Sequence, residues 1–178
     1  MPKYKYLEFW ENRGVEPAQP FDENKRRLIR NILKDIDYTT ALEFGCGDGQ
    51  LSQLIKEKSC HLTGVDISED RLQMNNDIDA KILLDIVNDS CLFPVSDLTI
   101  CSHFLLHIKP EDVVRVFEQM IRYSNKHIIM IEPNSNEIKG EWEYYNFKHD
   151  YMKLFDKYQL KTRILPLSKY VNCFVCEK

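Results

Sequence analysis

The stretch "TTALEFGCGDGQLSQLIKEK" (39–58) constrains the fold more than any other part of the chain. A short β-leaning apolar run ends on Gly45, Gly47 and Gly49, and helical spacing resumes at once through Leu51, Leu54 and Ile55. Glycine spent at alternate positions marks a backbone that something else must approach closely. A strand that passes through such a turn into a helix is the opening of a βαβ crossover, the unit from which helix-covered parallel sheets are built.

The pattern then repeats. "CHLTGVD" (60–66), "AKILLD" (80–85), "DLTICS" (97–102) and "KHIIMIE" (126–132) read as strands, several of them near-continuous apolar runs of the kind buried on both faces. Between and before them lie amphipathic stripes. Leu28, Ile29, Ile32, Leu33 and Ile36 share a helical face behind Asp22, a suitable N-cap, and Ser68 caps a helix with Glu69 and Asp70 in its first turn. "KPEDVVRVFEQMIRYS" (109–124) opens with proline and repeats Val113, Val114, Phe117, Met120 and Ile121 on one side. The end of the chain departs from the alternation: a helix near "HDYMKLFDKY" precedes "LKTRILPL" and "KYVNCFVC", joined by a short turn near Ser168, which predicts an antiparallel hairpin. The expected architecture is α/β, a Rossmann-like seven-stranded mostly parallel sheet with helices on both faces and a C-terminal antiparallel hairpin. At 178 residues this is a single domain, 1–178, with residues 1–20 as an N-terminal segment and 21–178 as the core.

Several function classes are disfavoured by composition. No apolar run approaches the ~20 residues that cross a bilayer, and "MPKYKYLEFWENRG" lacks the apolar stretch of a signal peptide, so a cytoplasmic location is the expectation. The net charge of −4 argues against broad affinity for nucleic acid, which depends on clustered Lys and Arg. The six cysteines fall in apolar segments, where free cysteine acts as a small hydrophobe. Cys173 and Cys176 alone resemble a metal pair, but positions three apart on a strand face opposite ways, so no metal is expected there.

In an open α/β sheet, ligands lie beyond the carboxyl ends of the strands, where this glycine turn sits. Gly45, Gly47 and Gly49 form G-x-G-x-G rather than the dinucleotide G-x-G-x-x-G, and no Lys-Ser or Lys-Thr follows to complete a P-loop. The segment "LEFGCGDGQLS" instead resembles the first motif of the class I S-adenosylmethionine-dependent methyltransferases. The resemblance extends in order and spacing through "GVDIS" (64–68), "LLDI" (83–86), "DLTICSHFLLHI" (97–108) and "IIMIEP" (128–133).

The resemblance implies S-adenosyl-L-methionine as cofactor and assigns its residues. Gly45, Cys46 and Gly47 would bed its methionine part, with Glu43 and Asp48 offering carboxylates to the ammonium or to nearby water. Asp66 ends the second strand where a carboxylate accepts both hydrogens of a ribose diol. Asp85 would bond the adenine amino group between Ile67 and Ile86, and Ser102 would be a further cofactor-binding residue. In the aromatic N-terminal segment, Trp10 and Arg13 would shield the sulfonium and pair with the methionine carboxylate, as a lid; packing against the sheet is the alternative.

Methyl transfer from a sulfonium is an in-line displacement, so alignment and exclusion of water dominate, and a base is required only for a protonated acceptor. His103 is the leading candidate base, His107 a packing residue, and His149 with Asp150 a second base and its orienting partner. "EWEYYNFKHDY" (141–151) contributes Trp142, Tyr144, Tyr145 and Phe147 to an acceptor surface, or else to the core. "CSHF" lacks the proline pair of exocyclic base-amine methyltransferases, and no carboxylate cluster of the magnesium-dependent type stands near Ser102. The expected partner is a small-molecule methyl acceptor. Two alternatives stand beside it: an RNA methyltransferase using the basic run "KRRLIR" (25–30), and a cofactor-binding partner or scaffold without catalysis.

Overall fold

The structure, a computed structural model, describes residue 10 and residues 20–89, 91–134 and 146–178. Helix α1 (Glu23–Asp35) leads, capped by the Asp22 side chain, which accepts from the Lys25 amide. The chain continues through β1 (Thr40–Phe44), α2 (Gln50–Ile55), β2 (His61–Asp66), α3 (Glu69–Met74) and β3 (Ala80–Leu83). It then forms β4 (Ser96–Ser102), a 3-10 turn (Leu105–His107), α4 (Val113–Arg122) and β5 (Ser124–Pro133). Helix α5 (Tyr151–Lys157) and strands β6 (Lys161–Pro166) and β7 (Val171–Glu177) complete it.

The seven strands form one sheet in the order β3-β2-β1-β4-β5-β7-β6. The first five are parallel to their neighbours, and β7 pairs antiparallel with both β5 and β6. The β6–β7 turn is built as the serine predicts, with Ser168 Oγ accepting the amides of Tyr170 and Val171 at 3.1 Å each.

Alternation along the strands divides the interior into two apolar layers. One holds Ile29 and Leu33 of α1 and Leu51, Leu54 and Ile55 of α2. The other holds Val116, Phe117 and Met120 of α4 and Leu154 and Phe155 of α5. Cys173 faces the first layer and Cys176 the second, as strand geometry requires.

Strand order reverses between β1 and β4: from β1 the chain steps outward to β2 and β3, then returns to the other side of β1. A crevice therefore opens at the carboxyl ends of these two strands.

Candidate active site

A cavity of about 670 Å³ occupies that crevice. Its wall is made from the ends of β1, β2 and β4 and the turn after β3. The glycine loop forms the floor. Gly45, Gly47 and Gly49 all have positive φ, at 67°, 47° and 96°. At Gly45 the requirement is double, since a Cβ there would also stand 2.5 Å from Cδ2 of Phe104. At Gly49 it would stand 2.5 Å from Oδ1 of Asn75.

Asp66 ties this loop to the end of β2. Its Oδ2 accepts the Gly47 amide at 2.8 Å and its Oδ1 accepts the Ser68 amide at 2.9 Å. Each carboxylate oxygen retains a second lone pair, so capacity remains for a diol. Burial raises its pKa, while the two amides and Arg71 work the other way.

Glu43 lies beneath the loop, 2% exposed, and accepts from Ser52 Oγ at 2.6 Å, which in turn accepts from Asn75 Nδ2 at 2.8 Å. Burial pushes the Glu43 carboxyl up to about 8, with neighbouring Asp66, Asp48 and Asp77 adding to the effect. Glu43, Asp48 and Asp66 all border the cavity. Three carboxyl groups, Glu43 among them able to ionise when a cation arrives, suit a cationic ligand better than a pyrophosphate.

Asp85 and Ile86 border the opposite end, with Ile67 nearby. Asp85 also organises its own turn: Oδ1 accepts the amides of Val87 at 2.9 Å and Asn88 at 3.2 Å, and Oδ2 accepts Asn88 Nδ2 at 2.7 Å. Cys46 lines the cavity as a buried thiol whose ionisation burial suppresses.

Ser102 and His103 close the side facing α1. His103 is unusual in its backbone, a non-glycine residue at φ 49°. Its amide donates to Ile131 O at 2.9 Å, and its Nδ1 lies 3.0 Å from Ser102 Oγ. Burial first, and the charge of Lys25 second, push the imidazole down to about 4. It is neutral at physiological pH.

Trp10 reaches the cavity edge from outside the core. Its ring meets His107 edge-on at 4.8 Å between centroids, and the Arg71 guanidinium lies 5.7 Å over it. Arg13, Trp142, Tyr144 and Tyr145 lie outside the described residues.

The structure does not bring His149 and Asp150 to the cavity. His149 is buried, with Nε2 2.9 Å from Leu105 O, and Asp150 is the N-cap of α5, accepting the Lys153 amide at 3.2 Å. A histidine beside an aspartate reads as a catalytic pair in sequence; here the aspartate is spent on a helix end. Phe147 is likewise core.

In the sequence Lys25 reads only as part of the basic run, and Glu132 carries no assignment. Lys25 borders the cavity beside Phe21, whose ring centroid lies 6.3 Å from that of His103. Within a run of basic residues on an amphipathic helix, nothing separates Lys25 from its neighbours except which way the helix faces. Glu132 lies behind the β4 turn, fully buried.

The basic run itself is dispersed. Arg26 donates to Gln53 at 2.6 Å, while Arg30 pairs with Glu57 at 2.7 Å and Glu23 at 3.0 Å. Among the described residues, no group of three or more His, Cys, Asp or Glu is arranged to hold a metal ion.

Fold and site together have the arrangement of the class I S-adenosylmethionine-dependent methyltransferases. A methyltransferase-domain family matches residues 10–164, and the chain belongs to that family. It is 24% identical over 115 residues to phosphoethanolamine N-methyltransferase 3 of Arabidopsis thaliana. That match takes in 60% of this chain but only 24% of the plant protein, so the chain spans about a quarter of that relative's length. Among solved structures it resembles a Leishmania major S-adenosylmethionine-dependent methyltransferase, with TM-score 0.77, 18% identity and coverage of 98% of this chain and 82% of that one. It also resembles the magnesium protoporphyrin IX methyltransferase of Synechocystis with S-adenosylmethionine bound, with TM-score 0.69, 14% identity and coverage of 98% and 92%.

Proposed function

We propose that this protein transfers a methyl group from S-adenosylmethionine to a small-molecule acceptor. One observation carries the reading: a cavity at the topological switch point whose floor combines close-approach glycines with three carboxylates, Glu43, Asp48 and Asp66. When bound, S-adenosylmethionine supplies an electrophilic methyl group on a sulfonium.

The chain's residues then divide the work. Gly45, Cys46 and Gly47 bed the methionine part, and Glu43 with Asp48 compensates its ammonium. Lys25, or Arg13 from the N-terminal segment, pairs with its carboxylate. Asp66 accepts from the ribose hydroxyls, Asp85 from the adenine amino group, and Ile67 and Ile86 flank the ring. Trp10 and Ser102 border the sulfonium end. Trp10, clasped between His107 and Arg71, supports a lid role and helps exclude water.

His103 serves as an acceptor of hydrogen bonds and of a proton from the methyl acceptor, its neutral imidazole held toward the cavity beside Ser102. A base depressed this far suits an acceptor that gives up its proton easily or arrives without one. The relatives named for phosphoethanolamine and magnesium protoporphyrin IX support the small-molecule class, without fixing the acceptor here. Pairing of Arg30 with Glu57 and Glu23, and of Arg26 with Glu23, offsets part of the basic run and makes it a poorer track for RNA phosphates.

Of the described residues, no helix is long and apolar enough to cross a membrane. All six cysteines are unpaired, the state a reducing compartment maintains, which supports the cytoplasm as the site of action.

The test is transfer of a labelled methyl group to a panel of small hydroxyl, carboxyl, amine and thiol acceptors. Turnover that Asp66→Ala abolishes supports the proposal. Cofactor binding with no transfer to any acceptor points to a binding protein instead.

A further inference from the structure

The turn that presents His103 to the cavity is held from behind by one carboxylate. The 3-10 turn Leu105–His107 has no side-chain cap at its own start, where Phe104 occupies the capping position. The first amides of any helical turn lack intrahelical partners and must find others. Here they find Glu132, from the carboxyl end of the neighbouring strand β5. Its Oε1 accepts the amides of Phe104 at 3.0 Å and Leu105 at 2.9 Å, and its Oε2 accepts that of Leu106 at 3.3 Å. Tyr151 Oη donates to Oε2 at 3.4 Å and the Cys101 thiol to Oε1 at 3.6 Å.

The carbonyl side of the same turn is gripped from the other end of the β5–α5 connection. His149 Nε2 lies 2.9 Å from Leu105 O, and the Phe147 amide donates to Leu106 O at 2.7 Å. Three successive amides and two successive carbonyls of this turn are thus anchored by residues distant in sequence.

His103 needs such anchoring. A left-handed backbone at a residue carrying a Cβ persists only where its surroundings over-determine it. The anchors on either side of it are the Ile131 carbonyl, which accepts its own amide, and Glu132, which accepts the amide of the next residue. The same turn carries Phe104, whose ring rests against the glycine loop at Gly45.

We infer that Glu132 is the positioning residue of the methyl-transfer step, fixing the His103 imidazole toward the acceptor through the backbone amides of Phe104, Leu105 and Leu106. The inference rests on the methyltransferase reading above. It gives Glu132 a role in turnover without contact to cofactor or acceptor, and gives His149 a supporting role on the same turn. A carboxylate suits this task because it accepts from several donors at once, whereas the amide of glutamine would turn a donor toward one of them.

A double-mutant cycle with His103 distinguishes positioning from general support of the fold. Glu132→Gln is expected to lower kcat by about 10- to 100-fold while S-adenosylhomocysteine affinity changes less than about threefold. In a His103→Ala background the same substitution is expected to cost less than about twofold, since the group it positions is gone. Equal losses in both backgrounds, or a parallel fall in cofactor affinity, would overturn the inference. Should Glu132→Gln fail to fold, Tyr151→Phe removes one donor to Oε2 with little change of shape. It is expected to reduce kcat about two- to fivefold, again only when His103 is present.

NMR of the His103 imidazole in the S-adenosylhomocysteine complex gives a readout independent of turnover. Displaced or doubled ring resonances in Glu132→Gln or Tyr151→Phe support positioning, and unchanged resonances contradict it. If no acceptor is turned over by the unmodified protein while those resonances still move, the function is wrong and the positioning stands.

Discussion

His103 and Glu43 border one cavity, and burial drives both toward their neutral forms. For His103 this lowers the imidazole from 6.5 to about 4. Any loss of kcat/KM caused by its protonation is therefore expected near pH 4 rather than near pH 6.5. A pH–rate profile for an acceptor that does not itself titrate checks this; an acid limb centred near pH 6.5 that disappears in His103→Ala would refute it. For Glu43 burial raises the carboxyl from 4.5 to about 8, so the empty site holds it protonated at neutral pH. A cationic ligand favours the ionised form, so binding releases a proton and affinity increases as pH rises toward about 8. Calorimetry in buffers of different ionisation enthalpy measures that proton directly, and Glu43→Gln is expected to abolish it. The proposed mechanism uses His103 in its neutral form and Glu43 in its ionised form, so only Glu43 has to lose a proton as the cation binds.

At the scale of elements, the glycine loop and the β4 turn form one assembly. Gly45 approaches the Phe104 ring, and Asp66 draws the Gly47 amide toward the end of β2. Gly45→Ala combines a positive φ with a contact of 2.5 Å, so it is expected to reduce cofactor affinity more than tenfold. Titration of the purified variant checks this, with circular dichroism confirming that the sheet is intact. These elements were largely readable in the sequence because each is announced locally. Apolar runs mark the strands, Asp22 and Ser68 mark helix starts, and Ser168 marks the hairpin turn.

From its histidine neighbour Asp150 reads as half of a catalytic pair, whereas the structure uses it as a helix cap away from the cavity. Glu132 was illegible for the opposite reason. Its partners lie 26 to 28 residues away on an adjacent strand's turn, and no local pattern signals three converging amides. Lys25 shared that fate, since the rotation of α1 against the sheet decides that it, rather than Arg26 or Arg30, meets the cavity.

Across the whole molecule, the sheet separates two apolar layers and gathers its polar residues at one end. Glu43 and Glu132, both fully buried in the folded state, carry pKa values of about 8 and about 7 against 4.5 when exposed. At these two groups the folded state binds more protons than the unfolded state between about pH 4.5 and pH 8, whereas His103, lowered to about 4, and the lowered His127 and His149 work the other way below about pH 6.5. Their contribution to stability is complete below 4.5 and is lost as pH rises through the folded values. The melting temperature of the ligand-free protein is expected to fall between about pH 6.5 and pH 8.5, above the range in which the histidines oppose the two carboxyl groups, and saturating S-adenosylhomocysteine should reduce that fall. Thermal melts across this range provide the check, and a melting temperature that rises with pH would refute it.

The central claim is that the floor between Glu43 and Asp66 accepts a cationic sulfonium nucleoside. Calorimetric titration of the purified protein with S-adenosylmethionine, S-adenosylhomocysteine and NAD tests it most directly. The account predicts saturable binding of the first two, weakened more than tenfold by Asp66→Ala, and none of NAD. Binding of NAD with indifference to both sulfur compounds at millimolar concentration would contradict it.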